Sequence, residues 1–369
     1  KNIIYSNIIE APKPTTDYIR LGIRSHCKGT FHELVKIENI LSADKMYIVP
    51  KNNLILNITF AWEQAIAITD DNDEGKYISN RFPTFAFKDN QLPTFYKYII
   101  PQKRLKYDLN VASPGGAGRN RVLNKKLFLS IPVNIPLLKE QEKISKFLTT
   151  VDKKITNLKN TITSLENQKK GLLQQIFSQK LRFKDENGNN YPNWEKKKLE
   201  DISNITMGQS PDSDFVNTEK IGTPFLQGNA EFTNKYPIEK YWCTKPQKIA
   251  NPTDILLSVR APVGAINIAN KKFCIGRGLS AISFNCNKLF GKYNLEFNLF
   301  QLIKKSQGST FSSINKKDIS EVILFIPCLE EQTKIADFLS AFDRKLENQK
   351  AQLEHWKQIK KGLLQQMFV

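Results

Sequence analysis

The string "KKGLLQQIF", which starts at Lys169, returns as "KKGLLQQMF" at Lys360, so that Gly171 and Gly362 stand 191 residues apart. At that one offset the match extends without a gap. One copy runs from Ile135-Pro136 through Glu140-Gln141, Lys143-Ile144, Phe147-Leu148 and Asp152 to Phe177. The other runs from Ile326-Pro327 through Glu331-Gln332, Lys334-Ile335, Phe338-Leu339 and Asp343 to Phe368. Roughly half the positions are identical, far above the background for unrelated helices, and a repeat of this kind decides the architecture before any local pattern is weighed.

Both copies carry a helical period. In the first, Ile144, Leu148, Val151, Ile155, Leu158, Ile162, Leu165, Leu172 and Ile176 fall on alternating steps of four and three, interrupted at Lys169. In the second, Ile335, Leu339, Phe342, Leu346, Leu353, Trp356, Leu363 and Met367 keep the same register, interrupted at Gln349 and at Lys360, the counterpart of Lys169. Such spacing is a heptad seam. Pro136 and Pro327 sit just ahead of each helix, where a missing N–H is harmless. The spacing predicts two helices of about 39 residues, each roughly 58 Å long. A seam of that length cannot face water, and the obvious partner of each helix is the other. Two equivalent units about a two-fold axis would lay them antiparallel. Gly171 and Gly362 each cost a helix about 1 kcal/mol relative to Ala, which leads us to expect a close backbone approach there, to the other helix or to another subunit.

The rest of the chain lacks heptads and reads as two mixed α/β (α+β) globules. The boundaries are 1–134 for the first globule, 135–180 for the central helical repeat, 181–325 for the second globule and 326–369 for the C-terminal repeat. The second opens on a polar turn at Asn187-Gly188. Its runs Ile255–Val259, Ala265–Ile268 and Leu279–Ile282 read as strands, echoed in the first globule by Leu54–Ile58 and Ala65–Ile68. Tyr18–Gly22 lies beside Pro224–Gly228 in the same way. Each globule then offers a short aromatic helix candidate, "TFYKYII" or "FNLFQLI", before its Ile-Pro. Like helices carrying unlike globules suggest two different surfaces on one symmetric frame.

The 369 residues include 55 Lys+Arg against 36 Asp+Glu, a formal +19. That excess attracts polyanions, with nucleic acid the leading candidate over an acidic protein or a membrane surface. No run of about 18 apolar residues is present, so no membrane span is expected. No secretory signal is visible, and the five cysteines (Cys27, Cys243, Cys274, Cys286 and Cys328) contain no C-x-x-C. Reduced, buried thiols and a cytoplasmic location are expected. His26 and His32 have no neighbouring constellation with metal spacing, so no metal site is assigned.

No catalytic residue is assigned either. Asn251-Pro252-Thr253-Asp254 lacks the second proline and the aromatic of an amino-methyltransferase motif, and reads as a turn before a strand. The "GGAG" at Gly115–Gly118 lacks the strand and helix of a cofactor fingerprint; its flanking arginines suit phosphate better. There is no G-x-x-x-x-G-K-[ST], and Pro211-Asp212 is too common a pattern to mark a nuclease. The chain itself is expected to bind no cofactor.

The "IP…L.EQ.KI..FL…D" openings, the "KKGLLQQ.F" ends, the lead-in "YPNWEKKKLEDI" and the string "DILLSVRAPVG…GRGLSAI" together make the chain resemble the specificity subunit of type I restriction-modification enzymes. The resemblance covers essentially the whole chain. It implies two target recognition domains separated by two long helices in an antiparallel coiled coil, with a pseudo-two-fold repeat. It further implies two modification subunits docked on the helices, methylating adenine N6 with S-adenosylmethionine, and one or two restriction subunits using ATP and Mg. One departure stands out: the first globule lacks a counterpart of the "LRF…YPNWEKKKLEDI" lead-in, so a missing opening segment is expected.

On DNA, Lys and Arg are expected to neutralise phosphates, while Arg reads guanine and Asn or Gln reads adenine. In the second globule the candidates are Gln209, Ser210, Gln227, Asn229, Arg260 and Arg277, the last between Gly276 and Gly278, whose glycines would let the backbone approach a duplex. Ser309, Thr310 and Lys316 are phosphate candidates. In the first globule they are Arg20, Arg24, Lys28, Arg119 and Arg121. With the helices acting as a ruler, half-sites about one turn apart (roughly 34 Å) and a fixed unread spacer are expected. The alternatives are a two-headed DNA-binding regulator without an enzymatic partner, and a coiled-coil scaffold for acidic proteins.

Overall fold

The computed structural model describes residues 3–39, 45–115, 121–233, 235–307 and 313–368. The chain divides into two compact units, one made of Lys1–Leu158 with Gln352–Val369, the other of Lys159–Ala351. Both repeats therefore contribute a piece of helix to both units.

In the first unit, β1 (Ile4–Ser6), β6 (Leu54–Leu56), β7 (Ile66–Ile68) and β9 (Thr84–Phe87) form an antiparallel sheet in the order β1-β9-β6-β7. A second sheet has the order β2-β5-β8-β3-β4, from β2 (Ile9–Ala11), β3 (Tyr18–Ile23), β4 (Thr30–Val35), β5 (Met46–Ile48) and β8 (Tyr77–Ile78). Only β3 and β8 run parallel in it. The helices are α1 (Pro93–Ile99), α2 (Lys103–Val111), α3 (Lys125–Leu129) and the first part of α4 (Leu138–Phe177). β6 and β7 are buried at every position, as their uninterrupted apolar runs require.

The second unit repeats this plan. Its first sheet is β11-β19-β16-β17, from β11 (Ser203–Met207), β16 (Ile255–Ser258), β17 (Ile266–Ile268) and β19 (Leu279–Phe284). Its second is β12-β14-β13-β18-β15, from β12 (Val216–Asn217), β13 (Thr223–Leu226), β14 (Tyr241–Cys243), β15 (Ile249–Ala250) and β18 (Phe273–Ile275), again with one parallel pair, β13 and β18. A third, two-stranded sheet pairs β10 (Glu195–Lys198) with β20 (Ile323–Ile326) and has no counterpart among the described residues of the first unit. The helices are α5 (Leu199–Ile202), α6 (Lys288–Gln307), α7 (Lys316–Ser320) and part of α8 (Leu329–Met367). The string "FNLFQLI" belongs to the 20-residue α6 and is not the short helix expected.

α4 has 40 residues and α8 has 39. The seam is sequestered: Leu148, Val151, Ile155, Leu158, Ile162, Leu165, Ile176, Ile335 and Leu339 are buried, and Ile144, Leu172, Phe342, Leu346, Leu353, Trp356 and Leu363 are half-buried. Met367 reaches the surface. In the second unit Glu166 pairs with Lys350 at 2.8 Å and Lys169 with Asp343 at 2.6 Å. Rising numbers on one helix meet falling numbers on the other, so the pairing is antiparallel.

The interruptions of the seam have a cause the period could not show. Lys169 meets Asp343, and its ammonium lies 5.2 Å from the ring centre of Tyr293, whose hydroxyl donates to Asp343 at 2.7 Å. The first unit contains the same clasp: Lys360 meets Asp152 at 2.5 Å, lies 5.7 Å from the Tyr98 ring, and Tyr98 donates to Asp152 at 3.1 Å. Burial, with the Asp152 charge adding to it, pushes the Tyr98 phenol up to about 12; burial also pushes Tyr293 up. Each helix start is duplicated as well. The Gln141 and Gln332 side chains donate to the Pro136 and Pro327 carbonyls, both at 2.9 Å, and accept from the Leu92 and Asn287 amides.

The expectation of a close backbone approach at Gly171 and Gly362 fails within this chain. A methyl group built on either would meet nothing within 4 Å.

Candidate nucleic-acid interface

In the second unit the candidate residues gather at the ends of three strands. β11 runs into Gly208-Gln209-Ser210, held by Gly208 N–H on the Leu279 carbonyl and Gln209 N–H on the Ile275 carbonyl, both at 2.9 Å. β13 runs into Gln227, whose amide meets the Ser210 hydroxyl at 2.9 Å. β18 runs into Gly276-Arg277-Gly278, where the Arg277 N–H donates to the same hydroxyl at 3.3 Å. Ser210 thus ties Gln227 and Arg277 together, while Gln209, Gln227 and Arg277 stay exposed.

Arg260 joins them from β16. The Val259 N–H donates to the Gly278 carbonyl and its carbonyl accepts from Ile314, both at 3.0 Å, leaving Arg260 exposed beside Ser313. Two guanidinium groups and two carboxamides therefore project from one rim of loops, anchored by backbone bonds. Such donors and acceptors can bond base edges and phosphates. Lys316, exposed at the start of α7, lies two residues beyond Ile314. Asn229 is half-buried and opens a tight turn in which its carbonyl accepts from Phe232 at 3.1 Å.

The glycines around Arg277 have a packing role. A Cβ on Gly276 would lie 2.6 Å from the Gln227 side chain, and one on Gly278 would lie 2.7 Å from the Gln227 carbonyl. Asn251–Asp254 is the turn expected of it: the Asp254 carboxylate accepts from the Asn251 N–H at 2.8 Å, directly before β16.

In the first unit the candidates are more dispersed. Arg20 is paired with Glu33 at 2.7 Å on the exposed face of β3 and β4. Arg24 donates to the Thr30 carbonyl and lies 4.9 Å from the Phe31 ring centre. Lys28 is free of these bonds and exposed in the connection between those strands. Arg121 donates to the Ser113 and Asn110 carbonyls at 3.0 and 2.8 Å and stacks 5.1 Å from the Trp62 ring. Arg119, Ser309 and Thr310 lie outside the described residues.

Two features went unseen in the sequence. Ile58 N–H donates to the Arg81 carbonyl at 3.0 Å and Leu123 N–H to the Ile58 carbonyl at 2.8 Å, the bonds that Val259, Gly278 and Ile314 make in the other unit. The exposed Arg81 therefore occupies the station of the Gly276–Gly278 loop. In the same unit, His26, Trp62, Lys103, Lys106, Tyr107 and Arg121, with Glu63 and Asn110, line a cavity of about 470 Å³. Its cations and rings suit phosphate contact and base stacking. The signal for it was present: Lys103, Lys106 and Tyr107 fall at i, i+3 and i+4 on α2.

Comparison with known proteins places this frame. The chain matches the type I restriction modification DNA specificity domain over residues 1–167 and again over residues 191–355. It is 37% identical over 252 residues to a putative type I restriction enzyme MjaX specificity subunit of Methanocaldococcus jannaschii, an overlap of 66% of this chain and 59% of that protein. It therefore spans about three-fifths of that relative's length. A second protein of the same organism, the type I restriction enzyme MjaVIII specificity subunit, is 24% identical over 375 residues, or 96% of this chain and 84% of that one. The crystal structure of a type I restriction-modification S subunit from M. genitalium shares the fold at 14% identity, with a TM-score of 0.61 over 99% of this chain and 96% of that one. Among the described residues, no helix is long and apolar enough to cross a membrane.

Proposed function

The chain belongs to the type I restriction-modification DNA specificity family, and on that premise we propose that it is a sequence-reading subunit that binds a bipartite, asymmetric site on double-stranded DNA. One observation carries the reading: two copies of one frame present unlike rims. Gln209, Gln227, Arg260 and Arg277 project in one unit. In the other, Arg81 is exposed, and Lys103, Lys106 and Trp62 line a cavity. Equivalent stations with different donors and acceptors address different base pairs, whereas a non-specific clamp would need only charge.

The +19 charge supplies the phosphate term, which weakens steeply with salt. Arg260 and Arg277 suit guanine edges, and Gln209 and Gln227 suit adenine edges. As a member of the specificity family, the chain acts as the address of a larger enzyme. In this reading two modification subunits use S-adenosylmethionine to methylate adenine N6, and one or two restriction subunits supply ATP- and Mg-dependent translocation and cleavage. A flipped adenine is the necessary substrate for the methyl transfer.

The test is to co-express the chain with a type I modification subunit from the same source and sequence methylated adenines in the host DNA. A single two-part motif with a constant gap is expected. Arg277→Ala should relax one base of one half only. DNA binding without sequence preference, or a stable complex that methylates nothing, would overturn the reading.

A further inference from the structure

The two units diverge just beyond the tyrosines that clasp the long helices. In the second, Tyr293 belongs to the 20-residue α6, which continues unbroken to Gln307. In the first, Pro101 follows α1 and has no N–H to extend it, so the chain restarts as α2. At the break the Ile100 carbonyl accepts from the Gln64 amide at 3.0 Å and from the Cys27 thiol at 3.4 Å. Ala61, Leu105 and Leu109 share the core, which lays α2 against the turn Ala61–Glu63.

That turn stands where the second unit has its Arg260 loop. Leu56 pairs with Ile66 as Leu257 pairs with Ile266, and the Asn57 and Ser258 amides donate to the Ala65 and Ala265 carbonyls at 2.9 and 2.8 Å. Thr59–Gln64 therefore replaces Arg260–Gly264. The Arg260 loop is packed down: a methyl group on Gly264 would touch Ile303 and Leu299 of α6 at 3.7 and 3.8 Å. Thr59–Gln64 instead forms, with α2, the cavity of about 470 Å³, a size within the range of about 300–1,000 Å³ of small-ligand pockets. The Trp62 indole N–H is committed to the Thr59 carbonyl at 3.1 Å, and the Arg121 guanidinium beside that ring to the Ser113 and Asn110 carbonyls. Trp62 thus offers a ring face and no free hydrogen-bond donor. A base in a stacked duplex presents only its edge in the grooves. A ring face inside a hollow is met only by a base that has left the stack.

We propose that this cavity receives one unstacked nucleotide of the DNA, its base against Trp62 and Tyr107 and its phosphate on Lys103 and Lys106. Glu63, whose carboxylate accepts from the Ser25 hydroxyl at 2.8 Å, and Asn110 take the amino group of adenine or cytosine, which thymine lacks. A nucleotide held here cannot at the same time be the methyl acceptor of a modification subunit. The inference rests on the DNA reading and deepens it: the second unit reads edges in a groove, and the first reads one base outside the stack.

The probes are fluorescein-labelled single-stranded hexamers of deoxyadenylate, deoxycytidylate and thymidylate, titrated against the full-length chain at low salt. Binding should favour the first two. Trp62→Ala should weaken it about fivefold or more, the effect of losing one stacked base, while Trp62→Phe keeps most of it. Glu63→Ala should erase the preference over thymidylate, and Lys103→Gln with Lys106→Gln should flatten the salt dependence. A duplex bearing the methylated motif, with one mismatch moved along it, should bind more tightly at a single position in one half, because unpairing there costs less. Hexamer binding indifferent to Trp62, or mismatches that weaken binding at every position, would overturn the cavity while a methylated motif still upholds the DNA reading. Hexamer binding that depends on Trp62, with no methylated motif, would keep the cavity as a nucleotide site and sink the sequence reading.

Discussion

Glu331 and Glu140 occupy the same place in the two repeats, yet only Glu331 is buried and clamped. Glu331→Ala removes two bonds from Arg182 and one from the Trp194 indole. Breaking a buried ion pair by deleting one partner costs about 3–5 kcal/mol, chiefly because the other charge stays behind. Arg182 is 22% exposed and keeps its bonds to the Tyr191 and Pro192 carbonyls at 3.2 and 2.8 Å, so water relieves part of that penalty. The lower end, about 3 kcal/mol, follows. In a unit of this size each kcal/mol moves the melting temperature by about 2–4 °C, which gives a fall of about 6–12 °C. Glu140→Ala, at a surface position, should stay within about 0.5 kcal/mol. Scanning calorimetry of both variants beside the parent decides it. A Glu331→Ala shift below about 2 °C, or equal shifts for the two, would show that the clamp is not what holds the lead-in.

The apolar counterparts should behave alike: Leu148 and Leu339 are both fully buried, so truncating either to Ala should cost about 2–5 kcal/mol by calorimetry. A double-mutant cycle on Lys360 and Asp152, 29% and 37% exposed, should give a coupling of about 0.5–1 kcal/mol that shrinks with added salt. Tyr98, pushed up to about 12 by burial, holds its proton more tightly folded than unfolded. Its contribution is therefore complete below the ordinary tyrosine value of about 10 and is lost as pH rises from there through 12. Denaturant titrations between those limits should show falling stability, and Tyr98→Phe should flatten the fall.

Much of this fold is legible in the sequence because it rests on period and repetition. The seam from Ile144 to Leu172 and its copy from Ile335 to Leu363 name both long helices, and uninterrupted runs such as Ile255–Ser258 name buried strands. What escapes depends on residues far apart in the chain. Lys169 and Lys360 look like faults in a heptad until Asp343 and Asp152 are brought to them. Gly276 and Gly278 look like openings for a ligand, yet what crowds them is Gln227, some fifty residues away. Arg81 shares no residue pattern with the Gly276–Gly278 loop. Only the matching carbonyl bonds of Ile58 and Val259 show that the two occupy one station.

The paired clasps bear on how such a chain can change length. Asp152 and Asp343 stand 191 residues apart, as do Lys169 and Lys360, whereas Tyr98 and Tyr293 are separated by 195. The connection from tyrosine to aspartate is 54 residues in one unit and 50 in the other, so the loops downstream of the tyrosines have gained or lost residues without disturbing either joint. An insertion of seven residues in one rod alone would displace its lysine by about 10 Å and unlatch it. Lengthening is tolerated only when both arms receive it together, so the spans from Asp152 to Lys169 and from Asp343 to Lys360 are bound to a common inheritance that the loops escape.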